Sequence, residues 1–183
     1  IHQGNPDQVT EQVEKGEADI GIATESIGLN GKIFTIPCYQ WNRILVAPVN
    51  HPLNQLSNAI TLNDLSQYPI ITYDYAFTGS TSVSKAFKQA HLSPNIVLTA
   101  IDADVIKTYV NLNLGIGLVA EMAYDKNKDI DLRAIDLSHL FEPSTTLLGL
   151  RKDLFIRSFV FDFIQRFSGL KSDELKQKLE DRV

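Results

Sequence analysis

"DADVIKTYVNLNLGIGLVAE", Asp102 to Glu121, decides how this chain is read. Asp102 has a short side chain able to accept from the free amides of a helix's first turn, and the residues after it favour helix. Val105, Ile106, Tyr109 and Val110 recur at i, i+1, i+4 and i+5, which predicts one inward face. Gly115 and Gly117 then bracket a return into the apolar run "IGLVA", where glycine permits positive φ or close backbone approach. A helix leading through glycines into a buried strand is half of an α/β unit. It is not a phosphate-binding fingerprint, because in that motif the glycines leave a strand for a helix.

The alternation continues in both directions. "NPDQVTEQVEKG" predicts a helix with Asn5 as N-cap, Pro6 at the first position, Asp7 in the first turn and Gly16 past the end, feeding the strand "ADIGIA" from Ala18 to Ala23. Strands "KIFTIP" and "RILVAPV" follow, with "CYQW" between them as a connection. A short helix capped by Thr61 or Asn63 precedes the strand Ile70 to Thr72. A polar loop then opens a helix from Val83 to Leu92, with Val83, Phe87 and Ala90 on one face. After "NIVLTAI" and the opening stretch come strands Leu132 to Leu137 and "STTLLGL", then a helix whose Phe155, Phe159, Phe163 and Phe167 read as core. The tail is a charged amphipathic helix, with Leu175 and Leu179 able to dock on its own lobe or on a neighbouring chain.

This order predicts an α/β fold with mostly parallel pairing. Boundaries at Pro37 to Trp41 and Phe141 to Thr146 divide the chain into lobe I, residues 1–39 with 144–183, and lobe II, residues 40–143, with a cleft between them.

Composition narrows the function. At 44% apolar and 21% charged residues the chain is an ordinary globular one. The one cysteine, Cys38, cannot form an internal disulfide, which fits a reducing cytoplasm. No apolar run reaches 18 residues and no signal peptide opens the chain, so no membrane partner is expected. A net charge of −5 with scattered Lys and Arg argues against nucleic-acid binding by this chain itself.

Catalytic and metal signals are weak. His2, His51, His91 and His139 have no metal-ligand spacing, Cys38 has no adjacent base, and Asp102 and Asp104 are explained by helix capping. No metal, cofactor or catalytic residue is expected. Hydroxyls gather instead where strands end: Thr24 and Ser26 after "ADIGIA", and Thr72, Thr78, Gly79, Ser80, Thr81 and Ser82 after "PII". Such groups, with helix amides, suit a small oxyanion, although Ser and Thr also serve as caps and turn formers.

"GEADIGIATE", "HPL", "ITYDYAFTG", "DADVIKTYVNLNLGIGLVAEMA" and "STT" together resemble the effector-binding domain of LysR-type transcriptional regulators, in the branch represented by CysB and Cbl. The resemblance covers nearly the whole chain. It implies two Rossmann-like lobes as in type 2 periplasmic binding proteins, joined by two crossover segments, with the inducer in the cleft. It implies a homotetrameric, cytoplasmic transcriptional activator of sulfur assimilation and cysteine biosynthesis, responding to N-acetylserine, O-acetylserine, sulfate or thiosulfate. Matched to the family's motifs, Thr24 and Thr78 would donate to ligand oxygens, Trp41 would line the site, and Gly79 would admit the backbone. Ser80 stands where a basic residue is expected, and the Asp102 helix would form a wall. The family also implies an upstream strand and helix completing lobe I, and a DNA-binding domain, both absent from this chain; the DNA contact would be made there. By analogy, the helices Pro6–Lys15 and Val83–Leu92 would form the dimer surface. Two rivals share the scaffold: a stand-alone solute-binding protein for sulfate or an amino acid, and an enzyme such as a tetrapyrrole-pathway deaminase or a dehydratase, with Cys38 its only candidate nucleophile.

Overall fold

The computed structural model describes residues 1–24, 27–28, 30–78 and 81–182. The chain forms two compact units, Ile1–Gln40 with Ser144–Val183, and Trp41–Pro143, and passes between them twice.

The first unit begins with α1 (Pro6–Lys15). Asn5 Oδ1 accepts from the Gln8 amide at 3.0 Å, while Gln8 Oε1 accepts from the Asn5 amide at 3.0 Å, so the first turn is closed from both sides. Gly16, at φ 75°, ends the helix in the left-handed conformation that glycine adopts at least strain. A three-stranded sheet has the order β1 (Gly21–Thr24), β8 (Ser144–Arg151), β2 (Ile33–Trp41). β2 runs unbroken through "CYQW", which is therefore strand and not connection. Pro37 is tolerated inside it because β2 lies at the sheet edge, where a missing amide interrupts no central ladder.

Helices α5 (Ser158–Ser168) and α6 (Ser172–Glu180) cover this sheet. Val160, Ile164, Leu175 and Leu179 pack with Ile36, Leu148 and Leu150, so the tail helix docks on its own unit. Of the phenylalanine row, Phe167 packs partly buried against this core, and the other three do not. Phe155 precedes α5 and is 82% exposed; Phe159 and Phe163 are 58% and 44% exposed, because the inward face of α5 is the neighbouring i, i+4 pair Val160 and Ile164, about 100° around the helix. Phe159 and Phe163, with Val9 and Ile22, line an open groove of about 680 Å³.

The second unit is built on a five-stranded sheet of order β5 (Ile96–Ala100), β4 (Ile70–Tyr73), β6 (Ile116–Ala120), β3 (Arg43–Pro48), β7 (Leu132–Asp136). β4 runs parallel to β5 and β6, whereas β3 runs antiparallel to β6 and β7; β1 and β8 are antiparallel as well. The pairing is therefore mixed, not mostly parallel: β3 starts opposite the end of β6, with Arg43 in register with Ala120. The crossovers are helical, α3 (Ser82–Gln89) between β4 and β5 and α4 (Ala103–Asn111) between β5 and β6, with the short α2 (Leu62–Ser66), capped by Thr61, before β4.

Within α4, Ile106 and Val110 are fully buried but Val105 is 42% exposed, and on α3 Val83 and Phe87 are buried while Ala90 is exposed beyond the last turn. The return from α4 to β6 uses Asn113, not glycine, for its positive φ of 60°. The amides of Asn113 and Leu114 reach the carbonyls of Val110 and Tyr109, the double bond of a Schellman ending. Gly115 serves close approach: a Cβ there would meet the Pro69 carbonyl oxygen at 2.4 Å.

Candidate functional site

Parallel strands β4, β5 and β6 end on one edge of the second unit's sheet, and α3 and α4 begin there. Because β3 is antiparallel, its first residue lies on the same edge. Register alone therefore gathers Arg43, Tyr73, Ala100 and Ala120, followed by the first turns of two helices. Helix starts present unpaired amides and the positive end of the peptide dipoles, and the carboxyl edge of an α/β sheet is where ligands sit.

The hydroxyls at this edge are largely engaged in holding it together. Thr72 Oγ1 donates to the Leu118 carbonyl at 2.9 Å, fully buried. Thr81 caps α3, accepting from the Ser84 amide at 3.2 Å and donating to the Ala76 carbonyl. Thr78 is exposed, and its Oγ1 donates to the Tyr75 carbonyl at 2.8 Å within the turn. Asp102 caps α4, accepting from the Asp104 amide at 2.7 Å. Gly79 and Ser80 lie outside the described residues. Burial pushes the Tyr73 phenol above its ordinary pKa, outweighing the Ala120 amide that donates to it at 3.3 Å and the Arg43 charge. Tyr73 is thus a neutral hydroxyl at this edge.

Trp41 is 4% exposed, and the Arg43 guanidinium lies 5.0 Å from its ring centroid. Arg43 itself is 2% exposed and donates from Nη1 to Ser82 Oγ at 3.1 Å. It is the buried charge at this edge that the hydroxyl pattern did not reveal. The cue was present: a basic residue opens "RILVAPV", an otherwise apolar strand, and a charge there must be held by specific partners.

Thr24 belongs to the first unit, at the carboxyl end of β1 and in register with Thr146. It is 8% exposed, and its Oγ1 has no hydrogen-bond partner among the described residues. Leaving a buried hydroxyl unpaired costs roughly 1–3 kcal/mol, so such a group marks either strain or a place for a ligand atom.

Elsewhere Cys38, His51 and His139 are engaged with nearby backbone groups. Burial pushes the Cys38 thiol up, away from the thiolate a nucleophile requires, and its Sγ donates to the Ile36 carbonyl. His51 Nδ1 accepts from the Leu53 amide at 3.3 Å, and His139 Nε2 pairs with the Ile60 carbonyl at 2.8 Å. Among the described residues no cluster of three or more His, Cys, Asp or Glu is placed to hold a metal ion, and no helix is long and apolar enough to cross a membrane.

Comparison with known proteins gives this geometry a context. Residues 1–169 match the LysR substrate binding domain. The chain is 50% identical over 184 residues to HTH-type transcriptional regulator SsuR of Burkholderia cenocepacia, covering 100% of this chain and 59% of that protein. It is 43% identical over 180 residues to HTH-type transcriptional regulator CysB of Haemophilus influenzae, covering 98% and 55%. The chain thus spans little more than half the length of these relatives. Its structure matches the cofactor-binding domain of the Cbl transcriptional regulator with a TM-score of 0.87 at 38% identity, covering 97% of this chain and 78% of that one. The fold is therefore that of LysR effector-binding domains: two Rossmann-like lobes of the type 2 periplasmic binding protein class, connected by two crossover segments. This chain belongs to the LysR family of transcriptional regulators, within which it is a substrate-binding domain.

Proposed function

We propose that this domain senses a sulfur-related metabolite for a CysB-like transcriptional activator of sulfur assimilation and cysteine biosynthesis. The effector is an acetylated serine, N-acetylserine or O-acetylserine, or the oxyanions sulfate and thiosulfate. Thr24 in the first unit, and Trp41, Thr78, Gly79, Ser80 and Asp102 in the second, contribute the contacts. The regulator works in the cytoplasm as a homotetramer, with DNA held by an N-terminal domain. Identity to SsuR, CysB and Cbl supports the sulfur assignment and weighs against a stand-alone solute-binding protein.

The observation that carries the binding reading is Thr24 Oγ1, a buried donor with no partner among the described residues. A sulfate or carboxylate oxygen would satisfy it without bringing a proton that must be lost. Binding alone does not switch a regulator; the effector must prefer one arrangement of the protein over another.

The test is calorimetric titration of the full-length protein with N-acetylserine, O-acetylserine, sulfate and thiosulfate. Saturable binding with Kd between micromolar and millimolar, about −8 to −4 kcal/mol, is expected for at least one of them. No binding to any of the four would remove the sulfur assignment and leave the family assignment intact.

A further inference from the structure

We infer that Arg43 is a positioning residue that sets charge selectivity for the effector, an inference that rests on the effector reading above. Arg43 ties the Trp41 indole to the first turn of α3 and makes that turn favour an anionic group over a neutral one.

The backbone of Arg43 is fixed from two sides, in register with Ala120 on β6 and with its carbonyl accepting from the Leu137 amide. Its side chain is 2% exposed, yet a guanidinium keeps its proton even when buried, so the positive charge is permanent. Its contacts include the Trp41 ring at 5.0 Å and Ser82 Oγ at 3.1 Å, which orient it. Ser82 is the first residue of α3, directly after the Thr81 cap. The cation therefore stands beside the positive end of a helix dipole, an arrangement that repels other cations and draws negative charge.

Ser82 transmits this polarity. Its oxygen accepts from Arg43, which leaves its own proton to donate, and a donor polarised by a neighbouring cation binds an anionic oxygen better than a neutral one. The planar guanidinium can stack on the indole and donate in its plane at once. A lysine ammonium, a compact point charge, cannot hold both contacts in one geometry.

The experiment titrates full-length wild type, R43K and S82A with sulfate, with N-acetylserine and with the neutral N-acetylserine amide, and compares acid with amide. Wild type is expected to prefer the acid. R43K and S82A should each lose about tenfold in affinity for sulfate and for the acid with little change for the amide, so that the preference collapses. S82A keeps the charge and the indole stack, so it carries the test if R43K folds poorly. An unchanged acid-to-amide ratio in S82A, or an equal loss for acid and amide, overturns the inference and leaves the effector reading standing. A wild type that binds none of the three overturns both.

Discussion

Threonine and phenylalanine do opposite work in the two units. In the second, Thr72 is buried and its hydroxyl is bonded to Leu118, Thr81 is buried and bonded to Ala76, and Phe87 is 2% exposed between Phe77 and Phe141. In the first, Thr24 is buried too but its hydroxyl has no partner among the described residues, and Phe159 and Phe163 stand on the exposed side of α5. Residue type is alike in the two cases, so the difference lies in what each neighbourhood supplies. A hydroxyl beside a free carbonyl becomes structural. One without a carbonyl in reach keeps its donor for something else.

The largest expected effect tests the aromatic half of this contrast. F87A should destabilise the second unit by about 3–5 kcal/mol, because a buried ring leaves a cavity among Phe77, Phe141 and the sheet. F159A in the 183-residue chain should stay within about 0.5 kcal/mol, as surface substitutions do. Urea unfolding of the two variants measures this directly; comparable losses would show that the phenylalanine row is core after all.

The hydroxyl half is next in size. T72V removes the donor to Leu118 in a dry environment and should cost about 1–1.5 kcal/mol of stability, with effector affinity unchanged. A calorimetric melt alongside a titration separates the two readouts. Loss of affinity without loss of stability would place Thr72 at the ligand and not in the scaffold.

A smaller effect concerns pH. Burial lowers the His51 pKa, and its Nδ1 must stay unprotonated to accept from Leu53. A lowered folded pKa means that the unfolded chain takes the proton first. This stabilising contribution is therefore full above the ordinary histidine value of about 6.5 and is lost as pH falls through the lowered value. Thermal melts at pH 7 and pH 5 should show a steeper acid loss for wild type than for H51N, which keeps a capping acceptor without titrating. Equal slopes would detach His51 from the acid sensitivity.

Local signals carried much of this architecture. Asn5, Thr61 and Asp102 cap the helices whose starts they mark, because capping depends on residues within one turn. Three features depended on tertiary context. The mixed pairing of β3 follows from where the chain enters the second unit's sheet, which no strand's own residues encode. The αL residue was Asn113, because nearby Gly115 was needed where the Pro69 carbonyl leaves no room for a Cβ. The phenylalanine row lost the inward face to Val160 and Ile164, one residue away and equally periodic. At the candidate site, hydroxyls were visible as a cluster, but which were engaged was not. Arg43 was hidden because its partners, Trp41 and Ser82, come from a strand end and a helix start 41 residues apart in number.

The most direct measurement is T24V, read for stability without effector and for effector affinity in the same preparation. A buried hydroxyl with no partner is better replaced by a methyl group, so the ligand-free melting temperature should hold or rise, while affinity for the best-bound oxyanion or acetylserine falls about tenfold. Falling stability with unchanged affinity would contradict the account, because Thr24 would then be a structural threonine like Thr72, and the contrast between the two units would disappear.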